Sequence, residues 1–390
     1  MMHVTSIEFS GYRSFSARSP AAPDRPLETL PLAPLTILIG KNNSGKSTAA
    51  RLSHHVLLAL AADGDDPFPL KGPREIYGRS FKDIQHDGNF FNPVDIQVEF
   101  NSADGSGYVA TAQLVQLGEL RADGPPSLEK STLNGIQTGA RPLRGLLPNV
   151  PEAEPLRREA KELLKNSLHV GPSRAPVQPQ YPVPSQSIVE FSVETGQVAQ
   201  LLYADSELRT NIGKWTSDNL DGWRLDIRQN LDLFQLVTRR NGREGNLADS
   251  GQGIQQVLSV VALCCGRKLG RGGMPFLDII EQPELHLHDA AHPALGDLLL
   301  SAVAGDKGSI IVETHSESLV LRVRRRVAEG LSPDRVAIVY VEDNGDGSRL
   351  RRIALHSDGE TDWWPEGVFS ESFVEVKAIR RAQTLRAERS

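Results

Sequence analysis

Gly40-Lys41-Asn42-Asn43-Ser44-Gly45-Lys46-Ser47-Thr48 is the stretch on which the fold turns. It fits G-x-x-x-x-G-K-[ST], the loop that cradles phosphates in nucleotide hydrolases. Ahead of it, Leu35-Thr36-Ile37-Leu38-Ile39 has the length and β-branched content of a buried parallel strand. Behind it, Thr48 to Leu60 reads as a helix. Gly40 and Gly45 let the backbone curl so that its N–H groups face phosphate oxygens, and the helix N-terminus adds partial positive charge. Lys46 is expected to reach the β- and γ-phosphates, and the Ser47 hydroxyl to bind Mg²⁺.

Composition narrows the setting. The 390 residues suffice for two or three packed layers, and 39% hydrophobic with 24% charged residues is ordinary globular usage. A net charge of -6 excludes a protein that is cationic all over, so any nucleic-acid contact must come from local patches. The two cysteines, Cys264 and Cys265, are adjacent in an apolar run and imply no disulfide framework. Met1 to Tyr12 lacks a basic-then-apolar leader, and no apolar run approaches the roughly 18 residues of a membrane span. A cytoplasmic protein without a membrane partner is expected.

Along the chain, Val4 to Ser10 alternates as an edge or half-buried strand, and a Pro-rich connection, Pro20 to Pro34, follows. Val94 to Phe100 predicts a strand, with Tyr108 to Leu117 as its hairpin partner. Asp123 to Pro151 is turn-rich, and Pro155 to Leu168 is a charged amphipathic helix. Leu168 to Pro172 reads as a short strand, Pro176 to Pro184 as a loop, and Val198 to Asn219 as helical. Strands are expected at Trp223 to Ile227 and Asp232 to Arg239, and a hairpin turn at Asp343 to Gly347. There is no internal repeat and no sustained heptad, which excludes a long coiled-coil arm.

Three further segments carry chemistry. Phe276-Leu277-Asp278-Ile279-Ile280-Glu281 is a mostly apolar run ending in a carboxylate suited to the metal side of the loop, followed by Gln282-Pro283-Glu284-Leu285-His286-Leu287-His288. Ser309 to Val312 reads as another buried strand running into Glu313-Thr314-His315-Ser316, a polar cluster where α/β sheets place ligands. His315 could hydrogen-bond a γ-phosphate or an attacking water. Ser250-Gly251-Gln252-Gly253 precedes a helix from Ile254 to Cys265, again an anion-friendly helix start.

In this order, phosphate loop, Ser-Gly-x-Gly before a helix, strand-Glu-Gln-Pro-Glu-Leu-His-Leu-His, and strand-Glu-Thr-His-Ser, the chain resembles the ABC-type ATPases. Within them it is similar to the RecF, SMC-like and OLD-like (overcoming lysogenization defect) branch, as a bacterial OLD-like ATPase without a nuclease domain. Phe9-Ser10-Gly11-Tyr12-Arg13-Ser14-Phe15, Gly171-Pro172-Ser173-Arg174 and Thr361 to Phe369 look like segments of that branch. The resemblance implies an α/β ABC-ATPase head: a mixed P-loop sheet flanked by helices, an antiparallel β subdomain, and a short helical lobe instead of a long coiled coil. It divides the chain into lobe I (1–120), a helical insertion (121–220), lobe II (221–375) and a basic tail (376–390).

Carried over residue by residue, the resemblance implies that Gly40, Lys41, Asn42, Asn43, Ser44, Gly45, Lys46, Ser47 and Thr48 bind ATP phosphates, with Ser47 and Glu281 on Mg²⁺. Glu281 becomes the Walker B acid, His315 the switch histidine, and Gln85 a counterpart of the glutamine that senses Mg²⁺. Ser250, Gly251 and Gly253 form a signature touching the γ-phosphate held by a second subunit, so ATP sits between two chains of a head-to-tail homodimer. The position that usually holds a water-polarising glutamate holds Gln282, and an amide cannot accept the proton at neutral pH. Slow hydrolysis is expected unless Glu284 or His315 takes that role. The implied function is a Mg²⁺·ATP-dependent switch, DNA-linked in anti-phage defence or genome maintenance, acting with a separate effector such as a nuclease. A nearly non-hydrolysing regulatory scaffold is the alternative, and a transporter ATP-binding subunit a weaker one.

His286, His288 and His292 with Asp289 do not have the spacing of a zinc motif. Glu342 to Gly347 lacks a calcium loop's bidentate carboxylate, because Ile353 stands there. Arg322-Val323-Arg324-Arg325-Arg326 and the tail residues Lys377, Arg380, Arg381, Arg386 and Arg389 read as solvated helix faces, with nucleic-acid phosphates or an acidic partner as the alternative.

Overall fold

Alternate residues of the buried strands divide between two cores, one on each face of a single central sheet. Leu35, Ile37 and Ile39 join one core and Leu38 the other; Phe276 and Ile280 join the first, Leu277 and Ile279 the second. This is the period-two consequence of extended backbone, and it needs a sheet covered on both faces, as parallel sheets are. The computed structural model describes residues 2–18, 24–89, 91–116, 126–137, 143–184, 190–305, 307–369 and 371–387. Pro20, Leu117, Asp123 and Arg389 lie outside them.

The central sheet runs His169–Val170, Phe276–Glu281, Gly308–Glu313, Leu35–Ile39, Val336–Asp343, Ser348–Ile353. The first five strands are parallel and the last pairs antiparallel. One face carries the helices Thr195–Ala204, Ser206–Asn219, Gln252–Lys268, His292–Ala302 and Glu317–Ala328. The other carries Lys46–Ala61 and Ala153–Asn166, backed by an antiparallel sheet ordered Glu28–Pro31, His3–Ser10, Val94–Asn101, Gly107–Val115, Ser127–Leu133, Ile136–Gln137. A smaller sheet is built on the hairpin Arg224–Asn230 and Leu233–Arg240, with Tyr181–Pro182 and Arg243–Asn246 at its edges. Among the described residues no helix is long and apolar enough to cross a membrane.

Several expectations need correction. The helix expected over 198–219 is two helices, broken at Asp205, whose carboxylate accepts from Leu208 N at 2.9 Å and caps the second. The Pro-rich connection contains an edge strand, Glu28–Pro31, paired to His3–Ser10. The stretch 121–220 is not a helical unit. Ser127–Leu133 extends the antiparallel sheet, His169–Val170 enters the central sheet, and only the helices from Thr195 onward pack on Gln252–Lys268. The two-residue strand His169–Val170, expected as a short strand, carries no periodicity, and its partner Ile279–Ile280 lies more than a hundred residues away in sequence. The tail is helical from Glu371 to Ala387.

Candidate functional site

All five parallel strands of the central sheet point their carboxyl ends at one edge, and the charged residues collect there. The loop after Leu35–Ile39 turns at Gly40 and Gly45, with Gly45 at φ 101° leading the helix Lys46–Ala61. Lys41, Asn42 and Asn43 form an exposed rim, whereas Ser44 and Lys46 are buried. The Lys46 amine donates to Gly40 O at 3.1 Å and Lys41 O at 2.7 Å, wrapped over the loop. Burial pulls its pKa below the usual lysine value, against the pull of Glu313. The Ser44 hydroxyl is buried without a hydrogen-bond partner. A backbone turned at two glycines, an unpartnered buried Ser44 hydroxyl, a desolvated ammonium, and oxygen donors from Ser47 and a carboxylate together fit a Mg²⁺-bound polyphosphate.

The carboxylate on Ser47 is Glu313, not Glu281. Ser47 Oγ donates to Glu313 Oε2 at 2.5 Å, and Lys46 Nζ lies 3.8 Å from Glu313 Oε1. The Gly308–Glu313 strand lies between the loop strand and the Phe276–Glu281 strand, so Glu281 stands two strands away, about 10 Å across the sheet. Its Oε1 accepts from Arg51 Nε and pairs with His169 Nε2, both at 2.8 Å. His169 also contacts Glu75 through Nδ1. Burial would lower the His169 pKa, but hydrogen bonds to Glu281 and Glu75 carry it up to about 9. Burial likewise opposes ionisation of Glu281, and His169 and Arg51 overcome it, holding its pKa below the usual carboxylate value. Burial raises the pKa of Glu313, only partly offset by Ser47 and Lys46.

Gln282 follows in the left-handed region at φ 46°, its N–H donating to Glu313 O at 2.8 Å. Glu284 is buried and accepts from His315 N at 2.6 Å, joining the loop after Glu281 to the one after Glu313. Burial raises the Glu284 pKa. The His315 ring is exposed at the same edge, its pKa lowered by partial desolvation and by Lys46. Gln85 is buried beside Tyr12, and its amide donates to Asn92 O at 2.8 Å.

Ser250, Gly251 and Gly253 open the helix Gln252–Lys268 at the far side of this edge, next to the loop after Glu281. A Cβ on Gly253 would lie 2.4 Å from His286 O, whereas one on Gly251 would meet nothing within 4 Å. In front lies a cavity of about 610 Å³ lined by Trp223, Arg243, Asn246, Ser250, Gly251 and His288, among others. Lower on the same helix, Arg267 makes a fully buried bidentate pair with Asp278 at 2.7 and 2.8 Å, tying helix to strand.

His292 is paired with Ser316 Oγ at 2.9 Å and with Leu287 O at 3.3 Å, so it braces these loops. The arginine run is matched locally: Arg322 and Arg326 on Asp297, Arg325 on Glu329, Arg324 on Glu360. Sequence reading placed Glu313 in a polar strand-end cluster without giving it a role, and missed His169. Glu313 carried the same signal as Glu281, a carboxylate closing a buried strand.

No family model and no curated protein matches this chain by sequence. Solved structures do match it in fold. The Smc head bound to the C-winged helix domain of ScpA superposes with a TM-score of 0.53 at 12% identity, covering 90% of this chain and 98% of that one. The Smc head domain with an extended coiled coil, bound to the C-terminal domain of ScpA and derived from Pyrococcus furiosus, gives 0.53 at 12% identity, covering 97% and 100%. The chain therefore has the fold of an ABC-type P-loop ATPase head.

Proposed function

We propose that this chain binds Mg²⁺·ATP at the loop Gly40 to Thr48 and works as an ABC-type ATPase switch that pairs head to tail with a second copy. The convergence of Lys46, Ser47 and Glu313 at the carboxyl edge of the parallel strands carries this reading. In it, Lys46 holds the terminal phosphates, Ser47 and a strand-end carboxylate hold the metal, and Glu281 is the second acid. A Mg²⁺ held there would supply charge neutralisation to the phosphates. Gln282 and His315 orient water or the γ-phosphate. Ser250, Gly251 and Gly253 serve the nucleotide of the partner copy.

Because Gln282 is an amide and one oxygen of Glu284 is taken by His315 N, hydrolysis is slow unless the second Glu284 oxygen, buried without a partner among the described residues, serves as the base. The same observation favours the second reading, an ATP-gated scaffold that barely turns over. The OLD-like resemblance supports a DNA-linked role in defence or genome maintenance, in the cytoplasm, with an effector protein such as a nuclease encoded nearby. Of the two basic runs, the exposed Lys377, Arg380 and Arg381 on the last helix are better placed for a DNA contact than the arginines of 322–326, which are paired within the chain. Light scattering with and without Mg²⁺·ATP, with Lys46→Ala as the blank, tests the pairing. A phosphate-release assay separates switch from scaffold. ATP binding by Lys46→Ala equal to wild type, or no binding by the wild type, would reject the site.

A further inference from the structure

Gln282 carries a side chain at φ 46°, a backbone conformation that persists only where the surroundings hold it from more than one direction. One hold is Glu313 O on its N–H at 2.8 Å. The other is Arg174, whose Nη2 donates to Gln282 O at 3.1 Å and to Glu281 O at 2.8 Å. The remaining edges of the same guanidinium reach Gln256 O at 3.0 Å, through Nη1, and Gly171 O at 3.0 Å, through Nε. Gln256 Nε2 answers by donating to Arg174 O at 3.0 Å. Arg174 is only 9% exposed. Burial lowers its pKa to about 10, which leaves it charged at neutral pH.

We propose that Arg174 is a positioning residue: its fork fixes the backbone of Gln282 and locks it to the helix Gln252–Lys268, which follows Ser250 and Gly251. Three segments distant in sequence, 171–174, 252–268 and 281–282, meet on one planar group with five donors, which no other side chain supplies. The consequence rests on the function proposed above. The helix start at Ser250 and Gly251 serves the partner's nucleotide, and Gln282 faces the chain's own. Arg174 therefore makes the water-facing residue of one site answer to occupancy of the other. Lysine keeps the charge but cannot reach three segments at once.

The experiment compares full-length wild type, Arg174→Lys, Gln282→Gly and the double variant, with Lys46→Ala as the nucleotide blank. Arg174→Lys is expected to lower kcat about a hundredfold through misplacement of Gln282, with the KM for ATP changed less than about threefold. Independently of turnover, Arg174→Lys lowers Tm less in the Gln282→Gly background than in wild type, because glycine occupies φ 46° without support. Wild-type kcat together with additive Tm losses would overturn the inference. So would kcat and KM worsening together with the same Tm loss in both backgrounds, the behaviour of a plain structural brace. If the wild-type chain shows no nucleotide-dependent turnover, the proposed activity fails, and the Tm cycle alone decides for or against Arg174.

Discussion

At the phosphate loop a methyl group on Gly40 would lie 2.2 Å from Val341 O, and one on Gly45 would lie 2.6 Å from the Ser348 hydroxyl; on Gly251, ahead of the second glycine-rich helix start, it would meet nothing within 4 Å. Two segments with the same local recipe, glycines before a helix, thus have opposite surroundings. The first is walled in by its own chain and packed with its own charges. The second is braced from behind by His286 and open in front. A loop closed by its own fold can hold a ligand alone, whereas an open helix start needs something brought to it, which is why the second is read as half of a shared site.

The largest effect expected from this contrast is at Gly45. Gly45→Ala forces a Cβ into a crowded left-handed position at φ 101°, so it should cost on the order of 3 kcal/mol and abolish nucleotide binding. Gly251→Ala should cost less than about 0.5 kcal/mol. Urea unfolding and nucleotide titration read both, and comparable losses would erase the distinction.

Acid should next separate the two helices. His55, on the phosphate-loop helix, is stacked on Tyr77 and paired with Tyr12, and burial holds its pKa down at about 3. The unfolded chain, near 6.5, binds the proton more readily, so His55 favours the fold above about pH 6.5 and that contribution is lost as pH falls towards 3. The slope is at most about 1.4 kcal/mol per pH unit for this group. Buried Cys264 and Cys265 on the Ser250 helix have pKa values raised by burial and stay silent in that window. His55→Gln should flatten the acid limb of a Tm-against-pH curve; an unchanged limb would assign it elsewhere.

A smaller effect tests the open front. Ser250→Ala should leave monomer stability within about 0.5 kcal/mol of wild type, while ATP-dependent pairing by light scattering weakens about tenfold, the worth of one charge-assisted hydrogen bond. Pairing at wild-type concentrations would remove Ser250 from the interface. Least affected should be DNA binding in Arg325→Glu. Arg325 already faces Glu329 at 2.7 Å, so the slope of affinity against salt should not change.

Legibility followed the same divide. The phosphate loop, its strand and its helix could be read because motif, buried run and helix start are contiguous in sequence. The turn at Asp343 to Gly347 was legible for that reason too, and it joins Val336–Asp343 to Ser348–Ile353 as expected. Glu313 was not singled out because two segments, Phe276–Glu281 and Gly308–Glu313, end in the same way. Only the order of strands reveals which of them neighbours the loop. Leu168 to Pro172 was legible as a short strand, and Gly171 to Arg174 as a segment resembling the ATPase branch, but the roles of His169 and Arg174 come from partners about a hundred residues away, which no local stretch shows.

By itself the sequence determined the phosphate loop and the buried strands with carboxylates at their ends, since each follows from the chemistry of neighbouring residues, while the α/β head was legible only through the resemblance carried by the order of the motifs. The tertiary structure alone decided that Glu313 rather than Glu281 meets Ser47, that Glu281 is held by His169 and Arg51, and that Arg174 pins Gln282. Those contacts depend on which strands lie side by side, and strand order is set by packing two cores on one sheet, a property of the whole chain that no local stretch encodes.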